Sequence, residues 1–150
     1  MQAVLTFSLA SVVAAAVLAH SDGTPYIAAE GRCSCATPPD VRKALRDVPH
    51  VFLGEIIATR DTLWPLIPDS MYVEGSVMTI RIVQRWKGTD ADTVSLISSG
   101  MCDFRFRVGT RAVVFAYGEP RGMTTSICLP TVRAEQAQET LRLLGPPRRR

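Results

Sequence analysis

The chain has 150 residues, of which 47% are hydrophobic and 21% are charged, so it can bury the core of one domain. This composition excludes an intrinsically disordered chain. The formal net charge is only +3, and the three arginines at 148–150 supply part of it. So weak a charge requires no polyanionic partner, and we expect no nucleic acid to bind.

The first 19 residues predict an export signal. An uncharged, mostly apolar run at 3–19 ends in small residues, with a small-x-small cleavage pattern at 17–19 and a second choice at 14–16. The run is short for a membrane span, which favours a removed signal peptide over an anchor. A buried hydrophobic helix is the alternative, since no Lys or Arg precedes the run. We expect a secreted or periplasmic monomer that begins near His20 and has no stable membrane insertion.

Four cysteines mark the rest of the chain, namely Cys33, Cys35, Cys102 and Cys128. In an oxidising compartment an even number of cysteines predicts disulfides, whereas a four-cysteine zinc site usually has Cys-x-x-Cys pairs at both ends. Cys33 and Cys35 are separated by a single residue and are not expected to bond each other, so each is expected to bond one downstream cysteine. We therefore expect no cofactor, no resident metal and no thiol nucleophile.

Residues 20–32 are predicted to be a flexible leader, 33–145 the folded domain and 146–150 a basic tail. A short helix is expected to follow Thr37 as N-cap, with Pro38 at its first position and Asp40 near its positive end. Its apolar positions, spaced for one buried face, are Val41, Ala44, Leu45 and Val48. A last helix is expected after the cap Thr131, with Ala134, Ala137, Leu141 and Leu144 on one side and Gly145 as its stop.

Five strands are predicted between these helices, at 51–59, 75–86, 93–98, 111–117 and 123–129. The segment 61–70 contains two prolines and is expected to be a loop at the rim of the sheet. In the second strand, Met78, Ile80, Ile82 and Trp86 should share one face, and Thr79, Arg81 and Arg85 the other. Such a chain is mainly β with flanking helices. We expect a five-stranded barrel of the oligonucleotide/oligosaccharide-binding (OB) type, with a β-sandwich as the alternative.

A family resemblance is carried by five segments in order: Cys-Ser-Cys-Ala-Thr-Pro-Pro (33–39), Val-Phe-Leu-Gly (51–54), Arg-Trp-Lys-Gly (85–88), Cys-Asp-Phe (102–104) leading to Gly109 and Val-Val-Phe-Ala (113–116), and Ser-Ile-Cys (126–128). Together they resemble the netrin-like domain of tissue inhibitors of metalloproteinases. The resemblance covers residues 33 to about 145. It implies an OB-type barrel with disulfides Cys33–Cys102 and Cys35–Cys128.

The resemblance also implies an inhibitory edge made of two segments. Its residues are Cys33, Ser34, Cys35, Ala36, Thr37, Ser99, Gly100, Met101 and Cys102. In the family, the α-amino group and carbonyl of the first cysteine chelate the zinc of a target metalloproteinase, and the next side chain enters its specificity pocket. Here those residues would be Cys33 and Ser34. The chemistry needs a free amine, so the chain must first be cut after Arg32.

The alternative function is an exported, non-inhibitory binding or adhesion module. Basic residues that could bind a polyanion are Arg81, Arg85, Lys87, Arg105, Arg107 and Arg111, although a solvated charged face is the favoured interpretation. Enzymatic activity is not expected, because the chain has no His-Glu-x-x-His, Gly-x-Ser-x-Gly or phosphate-loop motif. His20 and His50 lack a catalytic pattern, and Glu55 and Asp103 lack an acid or base partner.

Overall fold

The computed structural model describes residues 33–67, 71–99 and 104–148, with the side chains of 64–67 and 71–73 left out. The predicted signal peptide and leader lie outside these residues. In chain order the elements are α1 (Val41–Asp47), β1 (His50–Ile67), β2 (Met71–Lys87), β3 (Thr93–Ser98), β4 (Arg111–Ala116), β5 (Met123–Thr124), β6 (Val132–Arg133), a 3₁₀ turn (Ala134–Gln136) and α2 (Gln138–Leu144).

The strands form one six-stranded mixed sheet in the order β5-β3-β2-β1-β4-β6. Neighbouring strands are antiparallel except for β3 and β5, which are parallel. The prediction of a mainly β fold with a helix toward each end of the domain is confirmed. The described sheet has six strands rather than the five predicted, and it is not closed into a barrel. Since β5 is only two residues long, it meets the chain after β4 in a single bridge, Tyr117↔Thr124.

Both faces of the sheet are covered, as the apolar runs in β1 and β4 predicted. One face, the inner face, buries a cluster that contains Phe52, Ile56, Met78, Ile80, Ile82, Leu96, Phe106 and Val114. The opposite face, the helix face, packs Val51, Val113 and Phe115 against Ala44 of α1 and Leu144 of α2. Burial of each such side chain stabilises the fold by about 1.5–3 kcal/mol.

The first helix begins three residues later than predicted. Asp40, not Thr37, is the N-cap, and its carboxylate accepts a 2.6 Å hydrogen bond from the Lys43 amide. Pro39 explains the shift, since a residue that precedes proline is disfavoured in the helical region and Pro38 is therefore kept out of the helix. The apolar positions are confirmed, with Ala44 and Val48 buried.

The cap predicted for the last helix is also wrong. Thr131 is buried, and its hydroxyl accepts a 3.0 Å hydrogen bond from the Phe115 amide. Its side chain therefore ties the chain before β6 to β4. The 3₁₀ turn and α2 follow it, and α2 ends as predicted at Gly145, whose φ of 69° suits glycine.

A bulge in β2 reverses the predicted faces of two residues. The register passes from Gly54↔Ile82 to Leu53↔Gln84, so Val83 is an extra residue. One extra residue moves the side chains that follow it to the other face, as far as the next register shift, which lies between Phe52↔Arg85 and Val51↔Lys87. Trp86 therefore packs with the helix-face cluster, while Arg85 is 8% exposed on the opposite face.

The predicted loop at 61–70 is largely strand. β1 runs through Pro65 to Ile67 and pairs with β2 as far as Ile67↔Met71. The pairing of β1 with β4 ends at Glu55, and that of β2 with β3 ends at Ser76. Residues 62–67 and 71–75 thus form a two-stranded extension, here called the arm. Proline is tolerated there because a free strand edge needs no ladder hydrogen bond from it.

Candidate functional site

The segment Cys33–Thr37 enters the domain ahead of α1 without regular secondary structure. Ser34, Ala36 and Thr37 are exposed, whereas Cys33 and Cys35 are half-buried. Side chains of an extended segment point alternately to opposite sides, so Cys33 and Cys35 face the domain while Ser34 and Ala36 face solvent.

A disulfide joins this segment to the loop between β5 and β6. Cys35 bonds Cys128 with a Cα–Cα distance of 5.5 Å, across a sequence separation of 93 residues. This confirms the second of the two implied pairings. A bridge that closes so long a loop contributes about 2–4 kcal/mol, chiefly by restricting the unfolded chain.

Cys33 is disulfide-bonded as well. Its implied partner Cys102 lies outside the described residues, and so do Gly100 and Met101. Ser99 is described, and it lies exposed directly after β3. The inhibitory edge as a whole therefore stays a prediction.

A groove of about 600 Å³ lies beside the clamped segment, between the entry to α1 and the loop that carries Cys128. Its lining comes from residues 37–40, from α1, and from Tyr117, Cys128 and Leu129. Tyr117 is 45% exposed, although it directly follows a strand whose residues 112–116 are all buried. The volume falls within the range of about 300–1,000 Å³ that is usual for ligand pockets.

The basic residues proposed for polyanion binding are largely engaged in the fold. Arg85 is buried beside Asp90 and Asp92, 3.6 Å from a carboxylate oxygen of each. The Lys87 ammonium donates to the carbonyls of Leu45 and Arg46, at 3.0 and 2.7 Å, and so caps the C-terminus of α1.

The remaining members of that set are spread over the molecule. Arg81 and Arg111 flank Glu55 in one row across three strands, at 3.0 and 3.7 Å from its carboxylate. Arg105 donates to the Glu74 carbonyl at the base of the arm, and Arg107 is exposed in the loop before β4. These side chains do not form one continuous basic surface.

The residues weighed as catalytic have structural contacts. A hydrogen bond from Arg81, aided by the charge of Arg111, holds the pKa of Glu55 below its usual value, so it is an ionised member of a surface network. His50 Nδ1 accepts a 3.2 Å hydrogen bond from the Thr89 amide, which places the ring proton on Nε2, 2.8 Å from the Gly118 carbonyl. His20 and Asp103 lie outside the described residues.

Comparison of the chain with protein-family models gives no match, and comparison with curated proteins gives none either. Over the part of the chain that the structure describes, no group of three or more His, Cys, Asp or Glu side chains is arranged to hold a metal ion. None of the helices in those ranges is long and apolar enough to cross a membrane. Fold and site together define a disulfide-clamped, mainly β module.

Sequence reasoning missed the groove and two cations on it, Arg42 and Arg46. The groove itself forms only when residues 128–129 and Tyr117 are brought next to α1, and no local pattern encodes that contact. The position of Tyr117 is a weak signal in the sequence, because a tyrosine at the end of an apolar strand carries a hydroxyl group that favours water.

Proposed function

We propose that the chain is an exported module of the netrin-like type that inhibits a zinc metalloproteinase, with Cys33 as the N-terminal residue of the active form. One observation carries the proposal: Ser34 is exposed between two disulfide-bonded cysteines, one of them anchored to Cys128. A short segment fixed in this way loses little conformational entropy on binding, which favours tight insertion into a cleft.

The strand pairing supports an OB-type architecture for this module. β1, β2 and β3 form a meander, β4 returns beside β1, and β5 lies parallel to β3. The bridge between Tyr117 and Thr124 then joins the last two of these strands. A partly open, five-stranded Greek-key barrel has this kind of connectivity, with β6 as an added edge strand.

The zinc chemistry depends on one peptide bond. A neutral α-amino nitrogen and the carbonyl oxygen of the same residue can replace the water at the open position of a catalytic zinc. When Arg32 precedes Cys33, the nitrogen is an amide whose lone pair is delocalised, and it is no longer a ligand. Cleavage after Arg32 therefore switches the inhibitor on.

The test compares two forms of the protein that differ by one residue. One begins at Cys33 and the other at Arg32, and both are oxidised so that their disulfides and stability match. Against a panel of zinc metalloproteinases, the Cys33 form should inhibit at least one enzyme about a hundredfold more strongly, equivalent to about 2.7 kcal/mol. A serine protease serves as the negative control. Equal inhibition by the two forms, or none by either, contradicts the proposal.

A second candidate function is ligand binding without inhibition, and the groove favours it. The groove is lined by residues 37–40, by five residues of α1, and by Tyr117, Cys128 and Leu129, and none of these contributes the α-amino group. A form that begins upstream of Cys33 would keep the groove and lose the zinc-binding nitrogen. Ligand binding by the Arg32 form with no protease inhibition by the Cys33 form supports this second function.

A further inference from the structure

The groove beside α1 contains two exposed arginines, Arg42 and Arg46. Among the described residues, neither Arg42 nor Arg46 forms an ion pair, and both are exposed where they line the groove. The other charged side chains of the lining are engaged. Lys43 pairs with Asp47, and the carboxylate of Asp40 caps the helix. The groove therefore presents two guanidinium groups available to an anion.

The spacing of these two arginines suits one kind of ligand. They are four residues apart on α1, so they lie on one face of the helix with a rise of about 6 Å between them. In an extended peptide, alternate side chains point to the same side and are about 7 Å apart. Two acidic residues separated by one residue would thus meet Arg42 and Arg46 together.

The length and the remaining lining of the groove agree with such a ligand. The groove follows α1 from its N-cap, Asp40, to its last residue, Asp47. This helix has seven residues and is about 10 Å long. An extended chain covers that length with about three residues. The residue between the two acids would point away from the arginines, and Tyr117 and Leu129 supply partly apolar surface in the groove.

The geometry points to a binding site for an extended acidic peptide segment of the form Glu-x-Glu, with an apolar residue in the middle. Arginine is well suited to this role, because its planar guanidinium binds a carboxylate through two parallel hydrogen bonds. The site goes beyond the proposed inhibition and is independent of it, since it needs no free amine at Cys33.

Fluorescence anisotropy with two labelled peptides tests the site, with the oxidised protein that begins at Arg32. The probe is Gly-Glu-Leu-Glu-Gly, and its isomer Gly-Glu-Glu-Leu-Gly has the same charge with the acids on opposite sides. The probe should bind at least about tenfold more tightly than the isomer, because the isomer can pair only one arginine at a time. Binding should weaken as salt is raised. Equal affinities, or no binding of the probe at 1 mM, overturn the proposal.

Matched variants locate the binding. The double variant Arg42→Gln/Arg46→Gln should lower the affinity for the probe peptide at least about tenfold. The control Arg107→Gln/Arg121→Gln removes the same charge from exposed loops outside the groove and should leave affinity within about twofold. Unchanged unfolding midpoints show that each variant is folded. Equal losses in the two double variants, or binding of a heparin hexasaccharide where the probe fails to bind, overturn the peptide site.

Discussion

The two ends of the β1–β2 hairpin differ sharply in how they are held. At the end next to α1, Lys87 caps α1 and the Trp86 indole donates a 2.8 Å hydrogen bond to the Gly145 carbonyl, so β2 is held against both helices, and the disulfide joins the segment before α1 to the loop between β5 and β6. At the other end, the arm has two strands and an exposed Leu63. A two-stranded ribbon is only marginally stable by itself, so the clamped end is where a binding surface can be held rigidly.

The largest expected effect comes from the helix-face core. Phe115 is fully buried beneath α1 and α2, and Phe115→Ala should lower the free energy of unfolding by about 3–5 kcal/mol. Leu63 in the arm is 61% exposed, and Leu63→Ala should change it by less than about 0.5 kcal/mol. Urea unfolding followed by circular dichroism measures both. Similar losses at the two positions would mean that the arm is packed as firmly as the core.

The second largest effect is expected at the clamp. The double variant Cys35→Ser/Cys128→Ser removes the disulfide between residues 93 positions apart and leaves no free thiol at either position. It should lower the free energy of unfolding by about 2–4 kcal/mol. Guanidinium unfolding of the variant and the parent gives the difference. A loss of less than about 0.5 kcal/mol would contradict the structural role assigned to this bond.

A smaller effect is expected where β2 meets α1. Lys87→Met keeps most of the side-chain stem and removes the ammonium that caps the Leu45 and Arg46 carbonyls, which should cost about 1–2 kcal/mol. Thermal unfolding measures the change. The control is Lys43→Met, which removes a solvated ion pair with Asp47 and should cost less. The reverse order would show that the cap contributes little.

The smallest expected effect is a pH dependence. Since Arg81 lowers the pKa of Glu55 in the folded state, this carboxylate contributes stability above its unfolded pKa of about 4.3, and the contribution is lost as the pH falls through the lower folded value. Glu55→Gln should therefore destabilise the protein at pH 7 and much less at about pH 3. Thermal midpoints across this range test it, with Glu119→Gln in an exposed turn as control. An equal effect at both pH values contradicts the ion-pair network.

Local signals in the sequence predicted the helices and strands better than they predicted how these elements pair and pack. The apolar spacing of α1, the strand β3 and the stop at Gly145 follow from neighbouring residues, and all three are found. The faces of Arg85 and Trp86 depend on a bulge at Val83, which only the register with β1 reveals.

Long-range contacts explain the other differences. Pro65 is tolerated within β1 because, in the described residues, β1 beyond Glu55 pairs with β2 alone, and that is a property of the whole sheet. The exposure of the clamped segment could be predicted, because its two cysteines alternate around Ser34. The groove could not, since its walls are distant in sequence.

Determining the N-terminal residue of the active protein is the most direct test of the central claim that Cys33 binds zinc through its amine. Intact-mass analysis and N-terminal sequencing of the protein recovered from the cells and medium of its host, in any fraction that inhibits a zinc metalloproteinase, should give an N-terminus at Cys33 with all four cysteines oxidised. A chain that begins near His20 in every fraction, with no inhibition, would contradict the claim.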